Sequence, residues 1–198
     1  MEVNEKLIKE ITRLVIEELN KVEGQSSALK GNDVKEVVIG IGPSYSKGIT
    51  KTINGLKHED VLKEIMAGIE EEGMKPRVIR VQKTSDVAFI GKEAALLSGS
   101  GVGIGLQSKG TAIIHQKDLY PLSNLELFPQ APLITLKTYR AIGRNAAMYA
   151  KGLMVKPVEV QNDYTVRAKY QVKAALMHIK ETESVVKNSP SIEFKANV

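Results

Sequence analysis

The chain has 198 residues, 42% hydrophobic and 26% charged, with a net charge of +5 and a pI near 9.2. That length accommodates one domain with a buried core and an added segment, and the mild basicity suits an anionic or phosphate-bearing partner, although no basic block is present. The absence of Cys rules out disulfides and thiolate metal sites, an aromatic share of 5% without Trp speaks against a stacking surface for nucleic acid, and no apolar run is long enough for a membrane span.

In chain order, Leu7, Ile8, Ile11, Leu14, Val15, Leu19 and Val22 recur at helical spacing with charged residues between them, which predicts an amphipathic helix over 1–22. The small, polar residues 23–32 read as a linker, so the helix is expected to stand apart from a body over 33–198. "VKEVVIGIG" (34–42) reads as a buried strand, and "HEDVLKEIMAGIEEEG" (58–73) as a helix ended by Gly73. "RVIRVQ" (77–82) is a second strand, and "SDVAFIGKEAALLSG" (85–99) a helix that Ser85 could cap. A glycine-rich strand, "TAIIHQ" (111–116), a helix over 135–152 and a last helix near "YQVKAALMHIKET" complete the pattern. Alternating strands and helices predict an α/β fold, a Rossmann-like three-layer domain whose central sheet is mostly parallel or mixed.

The stretch "SGSGVGIGLQSKGT" (98–111) is neither a P-loop nor a dinucleotide turn, because Lys109 precedes Gly110 and position 106 is Leu. Its period of two would put Gly99, Gly101, Gly103 and Gly105 on one bare strand face, open to a packed helix, a tight loop or a ligand. His58, His115 and His178 are isolated, with no H-x-x-x-H spacing, and there is no G-x-S-x-G elbow. His115 reads as a satisfied strand residue, and the carboxylates mostly as solvated helix faces. No catalytic set and no metal site is expected from this chain, which reads as a binding subunit. The stretch from Gln107 to Arg140 combines Lys109 and Asn124 with Pro121, Pro129 and Pro132, a rigid polar segment suited to a large, amide-studded ligand.

"TSDV", "LSGSG", "IGLQSKGT", "PLSNLELFPQAPL" and "TYRAIGRNAA" closely resemble the medium (beta) subunits of adenosylcobalamin-dependent diol and glycerol dehydratases, from about Asp33 to beyond His178. "LFPQAP" and the N-terminal helix look more like the propanediol branch than the glycerol branch. The resemblance implies adenosylcobalamin held base-on between this subunit and a large TIM-barrel subunit, which carries the substrate, the radical chemistry and any potassium or calcium. The absence of D-x-H-x-x-G agrees with base-on binding. Carried over residue by residue, Lys109 would meet the phosphate or ribose of the nucleotide tail. Asp86, Asn124 and the Pro129 carbonyl would meet corrin amides, and Arg167 and Tyr170 would add later contacts, although Ala168 departs from the family's pattern there. The alternating glycines would let backbone approach the nucleotide. The resemblance also implies large and small (gamma) partner subunits in a dimer of heterotrimers, with no nucleic acid and no membrane. Residues 1–22 would be an encapsulation peptide that docks on a shell protein, placing the enzyme in the cytoplasm inside a bacterial microcompartment. The alternatives are a glycerol dehydratase medium subunit and a non-catalytic, reactivase-like interaction module.

Overall fold

The structure is a computed structural model that describes residues 26–196. The amphipathic helix expected over 1–22 and residues 23–25 of the linker lie outside the described residues. The elements run β1 (Glu36–Ile41), α1 (His58–Glu71), β2 (Lys75–Arg80), α2 (Val87–Leu97), β3 (Val102–Leu106), β4 (Ala112–Gln116) and β5 (Glu126–Phe128). A 3-10 turn (Ala131–Leu133), α3 (Leu136–Ala150), α4 (Tyr164–Glu183) and β6 (Ile192–Glu193) follow. The strands form one sheet in the order β5-β4-β3-β1-β2-β6.

This sheet is mixed. β1 pairs in parallel with β2 and β3, whereas β3–β4, β4–β5 and β2–β6 are antiparallel. The expected crossover arrangement therefore covers only the centre of the sheet. The reason is local: β3 is followed by a tight turn, and a tight turn can return the chain only antiparallel. The two short edge strands, β5 and β6, have three and two residues and too little periodicity to be seen in sequence. The described part of the expected linker runs along this outer edge, where Ser27 bridges Ile192 and the Ala28 amide donates to Ser191 O at 2.7 Å.

One face of the sheet carries α1 and α3. Val37, Ile39, Ile41, Ile104, Leu106 and Ile114 meet Val61, Ile65, Ile69, Tyr139, Ile142 and Ala146 in the main core. The two helices approach closely because a side chain at Gly68 would collide with the Arg140 carbonyl, and one at Gly143 with the Ile65 carbonyl. Each glycine thus admits the partner's backbone. Across the contact, Arg140 bonds Glu64 at 2.8 Å and Glu71 at 2.7 Å.

The other face carries α2, and here the glycines find their role. Only Val102–Leu106 is strand; Gly99 lies outside it, and Gly101 sits in a turn at φ 80°. Gly103 and Gly105 face α2, where an added Cβ would meet the backbone of Ala95, Gly91 and Val87. The bare strand face is therefore filled by a helix, and the expectation that it opens toward a nucleotide is corrected. The cap of α2 is also corrected, from Ser85 to Asp86, whose Oδ1 accepts from Ala88 N at 2.8 Å and Phe89 N at 3.3 Å. The last helix is longer than its apolar pattern suggested, starting at Tyr164 behind an Asp163 cap.

Candidate functional site

The turn between β3 and β4 is the residue run Gln107–Thr111, and its backbone is bound from every side. Gln107 N donates to Thr111 O at 3.0 Å and Gly110 N to Gln107 O at 2.8 Å, which closes the turn, with Gly110 at φ 103°. The Gln107 side chain donates to Ser85 O at 2.6 Å. Ser108 N and Oγ both donate to the Glu181 carboxylate, at 2.9 and 2.8 Å, and His58 Nε2 meets Ser108 O at 2.8 Å. Lys109 O accepts from Ile53 N at 3.0 Å, and Gly110 O from Tyr139 Oη at 2.6 Å. Residues from four segments, around 53–58, 85, 139 and 181, thus fix the position of this one turn.

The buried groups around it are titratable, and burial sets their state. His58 stacks on Tyr45 with ring centroids 3.7 Å apart and accepts from Ser46 N at Nδ1. Since Nδ1 accepts, the proton belongs on Nε2, where it donates to Ser108 O. Burial pushes the His58 pKa down to about 4, so the ring is neutral. Burial raises the pKa of Glu181, against the lowering effect of the two Ser108 bonds and the Lys109 charge. Burial also lowers the pKa of Lys109, opposed by the charges of Glu181 and Asp86.

Lys109 lines an open cleft of about 550 Å³. Its floor is Ile53, Lys109 and Thr111; one wall is Pro129–Pro132 and the other is α4, through Tyr164, Arg167, Tyr170, Gln171 and Ala174. The walls are tied to the floor. Asn54 Nδ2 donates to Ile134 O at 2.8 Å beneath the proline segment, Gln130 Oε1 accepts from Asp163 N at 3.0 Å at the start of α4, and Lys173 Nζ donates to Ile53 O at 2.7 Å. Among the described residues, Lys109 Nζ makes no hydrogen bond or ion pair, although the residue is only partly exposed. A partly buried ammonium without a partner among the described residues, in a cleft that Arg167 also lines, is chemistry suited to an anion. A smaller cavity of about 230 Å³ lies behind Pro129 and Gln130; its one charged lining residue is Glu159, so it lacks this character.

Of the six residues singled out in the sequence, Lys109, Pro129, Arg167 and Tyr170 line this cleft together. Asp86 sits at the exposed start of α2, and Asn124 is exposed in the loop between β4 and β5; neither lines the cleft. Sequence reasoning missed Glu181, His58, Gln130 and Thr111. Thr111 adjoins the quoted "QSKG", but Glu181 looks like any solvated helix carboxylate until α4 is seen to carry it under the turn. His115 is a buried core residue outside the cleft, with Nδ1 2.8 Å from Gln116 O and Nε2 3.3 Å from Pro121 O; in the neutral ring one of the two donates. Among the described residues no three His, Cys, Asp or Glu side chains gather as a metal site, and no helix is long and apolar enough to cross a membrane.

Two comparisons bear on this arrangement. A family model described as "Dehydratase medium subunit" matches residues 42–156, which contain the turn, the proline wall and both helices of the main core. Among solved structures, one described as "Glycerol dehydratase reactivase" superposes with a TM-score of 0.50 at 22% identity, covering 61% of this chain and 95% of that one. Another, a diol dehydratase-reactivating factor complexed with ADP and Mg2+, gives a TM-score of 0.46 at 22% identity, covering 67% of this chain and 99% of that one. At that identity the first likeness is one of fold.

Proposed function

The chain belongs to the dehydratase medium subunit family, and on that premise we propose that its cleft holds the nucleotide tail of adenosylcobalamin, base-on, against the large subunit of a propanediol dehydratase. The observation that carries this reading is Lys109, a partly buried cation with no hydrogen-bond or ion-pair partner among the described residues, on the floor of an open cleft. The phosphodiester of the nucleotide tail is an anion that would supply the missing partner, in a charge-assisted bond. A volume of about 550 Å³ suits the tail rather than the whole cofactor, so the corrin would lie outside the cleft. None of the cleft-lining residues is a histidine, in keeping with a cofactor that keeps its own lower base.

The cofactor supplies the cleavable cobalt–carbon bond from which radical dehydration of propane-1,2-diol to propionaldehyde starts. The residues of this chain do different work. Lys109 neutralises the phosphodiester, and the pinned turn holds the lysine backbone still, so that little ordering entropy is lost on binding. Arg167 and Tyr170 close over the tail from α4, and the Pro129 carbonyl, in a segment that cannot shift freely, accepts from a corrin amide. Asp86 and Asn124, outside the cleft, are assigned to the corrin periphery. The substrate and the radical chemistry, with any potassium or calcium, belong to the large subunit.

A reactivase-like module of similar fold would bind the large subunit without holding cofactor. The unpartnered Lys109 favours the cofactor reading, because a module that only docks has no use for a partly buried ammonium facing a cleft. The test is Lys109→Ala in the complex reconstituted with large and small subunits. Loss of one charge-assisted bond should weaken cobalamin binding by about 1.5–3 kcal/mol, tenfold to more than a hundredfold, with assembly unchanged. Unchanged affinity overturns the reading. Parallel turnover measurements on propane-1,2-diol and glycerol then separate the propanediol assignment from the glycerol one.

A further inference from the structure

The outer side of α2 borders an open groove of about 520 Å³ that shares no lining residue with the cleft at Lys109. Phe89 and Leu96, each 45% exposed, stand two helical turns apart on it, with Pro121 beside them. Lys83, Lys92 and Lys187 line it against a single acid, Glu93, which pairs with Lys83 at 2.7 Å. Apolar anchors two turns apart, framed by cations, suit an amphipathic helix with acidic borders.

The chain carries such a segment and leads it to this place. In the helix expected over 1–22, Val15, Leu19 and Val22 fall at i, i+4 and i+7, and Glu18 and Glu23 border that stripe on its two sides at 100° per residue. The residues that lead out of the segment lie along α2. Gly31 N donates to Leu97 O at 2.8 Å, and Ala28 packs on the cluster that contains Ile90 and Ala94. Ala28 N donates to Ser191 O at 2.7 Å, and the Ser191 hydroxyl donates to Glu93 Oε1 at 3.1 Å. Followed backwards from Gly31, the chain thus passes from the end of α2 to the level of Glu93, a residue of the groove. From Ser26, residues 23–25 span about 10 Å at most, so the end of the segment that holds Val15, Leu19 and Val22 is the part kept beside α2. A second copy of the groove would set lysine against lysine, so charge favours the acidic segment as the occupant.

We propose that this groove docks the chain's own N-terminal segment in cis, with Val15, Leu19 and Val22 seated on Phe89 and Leu96 and with Glu18 and Glu23 toward the lysines. So short a tether gives an effective concentration on the order of millimolar, which suffices for a contact too weak to form between separate molecules. While docked, the apolar stripe of the segment is withheld from other surfaces.

The protein has no cysteine, so Leu96→Cys in the full chain provides a single thiol whose labelling by an uncharged maleimide reads coverage of the groove. In this chain the thiol should react about fivefold or more slowly than in the same chain carrying Val15→Lys and Leu19→Lys, which place charge on the docking stripe. Leu176→Cys, on the exposed side of α4, should react at one rate with either stripe. Lys187→Glu should speed labelling of Leu96→Cys about twofold by repelling Glu18 and Glu23; a carboxylate near a thiol by itself slows the reaction, so the rise reads release of the segment. Equal rates at Leu96→Cys with the native and the charged stripe overturn the proposal. So does protection at Leu176→Cys instead, which would move the segment to α4. Protection that fades on about a tenfold dilution overturns docking in cis, because it would come from the segment of another molecule.

Discussion

The two sides of the cleft are held in opposite ways. The Gln107–Thr111 turn has its backbone and the side chains of Gln107 and Ser108 bonded to Ser85, His58, Glu181, Ile53 and Tyr139. Helix α4, the facing wall, is 20 residues long and buries only Glu181. Its outward positions Val172, Leu176 and Ile179 are 73%, 62% and 53% exposed. The rigid side carries Lys109, the proposed ligand contact, whereas the loosely attached side carries an exposed apolar stripe. The contrast implies a division of labour under the proposed function: the turn is held in place in advance of a ligand, and α4 offers an exposed surface to a partner. Glu181 is the joint between them, a single residue of the loose helix buried beneath the rigid turn.

The largest effect is therefore expected at that joint. Glu181→Ala strips the acceptor from both Ser108 N and Ser108 Oγ and leaves the two donors buried. The loss should be on the order of 4 kcal/mol, read from chemical unfolding of the chain. Glu181→Gln keeps one acceptor and should recover about half of it. Because the joint also orders the lysine-bearing turn, Glu181→Ala should weaken cobalamin binding in the complex although Glu181 touches no ligand. A stability loss under about 1 kcal/mol would mean that the turn holds without α4, and the division between the two walls would collapse.

A second way to sharpen the comparison is pH, because the rigid side depends on a neutral imidazole. The His58 pKa is held at about 4 in the fold against 6.5 for a free side chain. Between these values the unfolded chain binds the extra proton, so the contribution of His58 is complete above pH 6.5 and is lost as pH falls toward 4. The full span corresponds to about 3 kcal/mol. Protonation places a hydrogen on Nδ1 against the Ser46 amide that now donates to it. Glu181 has the opposite sign: its raised pKa favours the neutral carboxyl in the fold, so its contribution falls as pH rises above 4.5. Replacing His58 with Gln should flatten the dependence of the thermal midpoint between pH 6.5 and 4. An unchanged slope would assign the acid sensitivity elsewhere.

Which parts of this were legible in the sequence follows the range of the interactions. β1, α1, β2, β4 and α3 showed themselves through periodicity within a dozen residues, and Gly73 at φ 70° ends α1 as its position suggested. The short edge strands had no such signal, since β6 is defined by its pairing with β2, more than a hundred residues away in sequence. The glycine stretch was legible as a bare face but not as to its occupant; that depended on α2 crossing it. Lys109, Pro129, Arg167 and Tyr170 share one cleft because three segments, the turn, the proline segment and α4, converge, which the family resemblance implied and the spacing alone could not. Glu181 and His58 were invisible for the same reason: each is a polar residue on an ordinary amphipathic helix until the tertiary fold buries it.

The smallest effect on the chain itself, and the one that most directly tests the role of the loose wall, is expected at Leu176. At 100° per residue, Val172, Leu176 and Ile179 share a side of α4 roughly opposite the one that Arg167, Gln171 and Ala174 turn to the cleft. Val172, Leu176 and Ile179 are all exposed, at 73%, 62% and 53%. Leu176→Lys should thus change the stability of the free subunit by no more than about 0.5 kcal/mol. In the assembled dehydratase the same lysine would be placed in an apolar contact without a counter-charge, and association with the large subunit should weaken. Size-exclusion chromatography of the co-expressed subunits reads this directly. A variant that is destabilised alone would show that α4 is held more firmly than its exposure suggests. A variant that assembles as wild type would move the subunit contact to the cleft side, leaving α4 to act on the ligand and not on the partner.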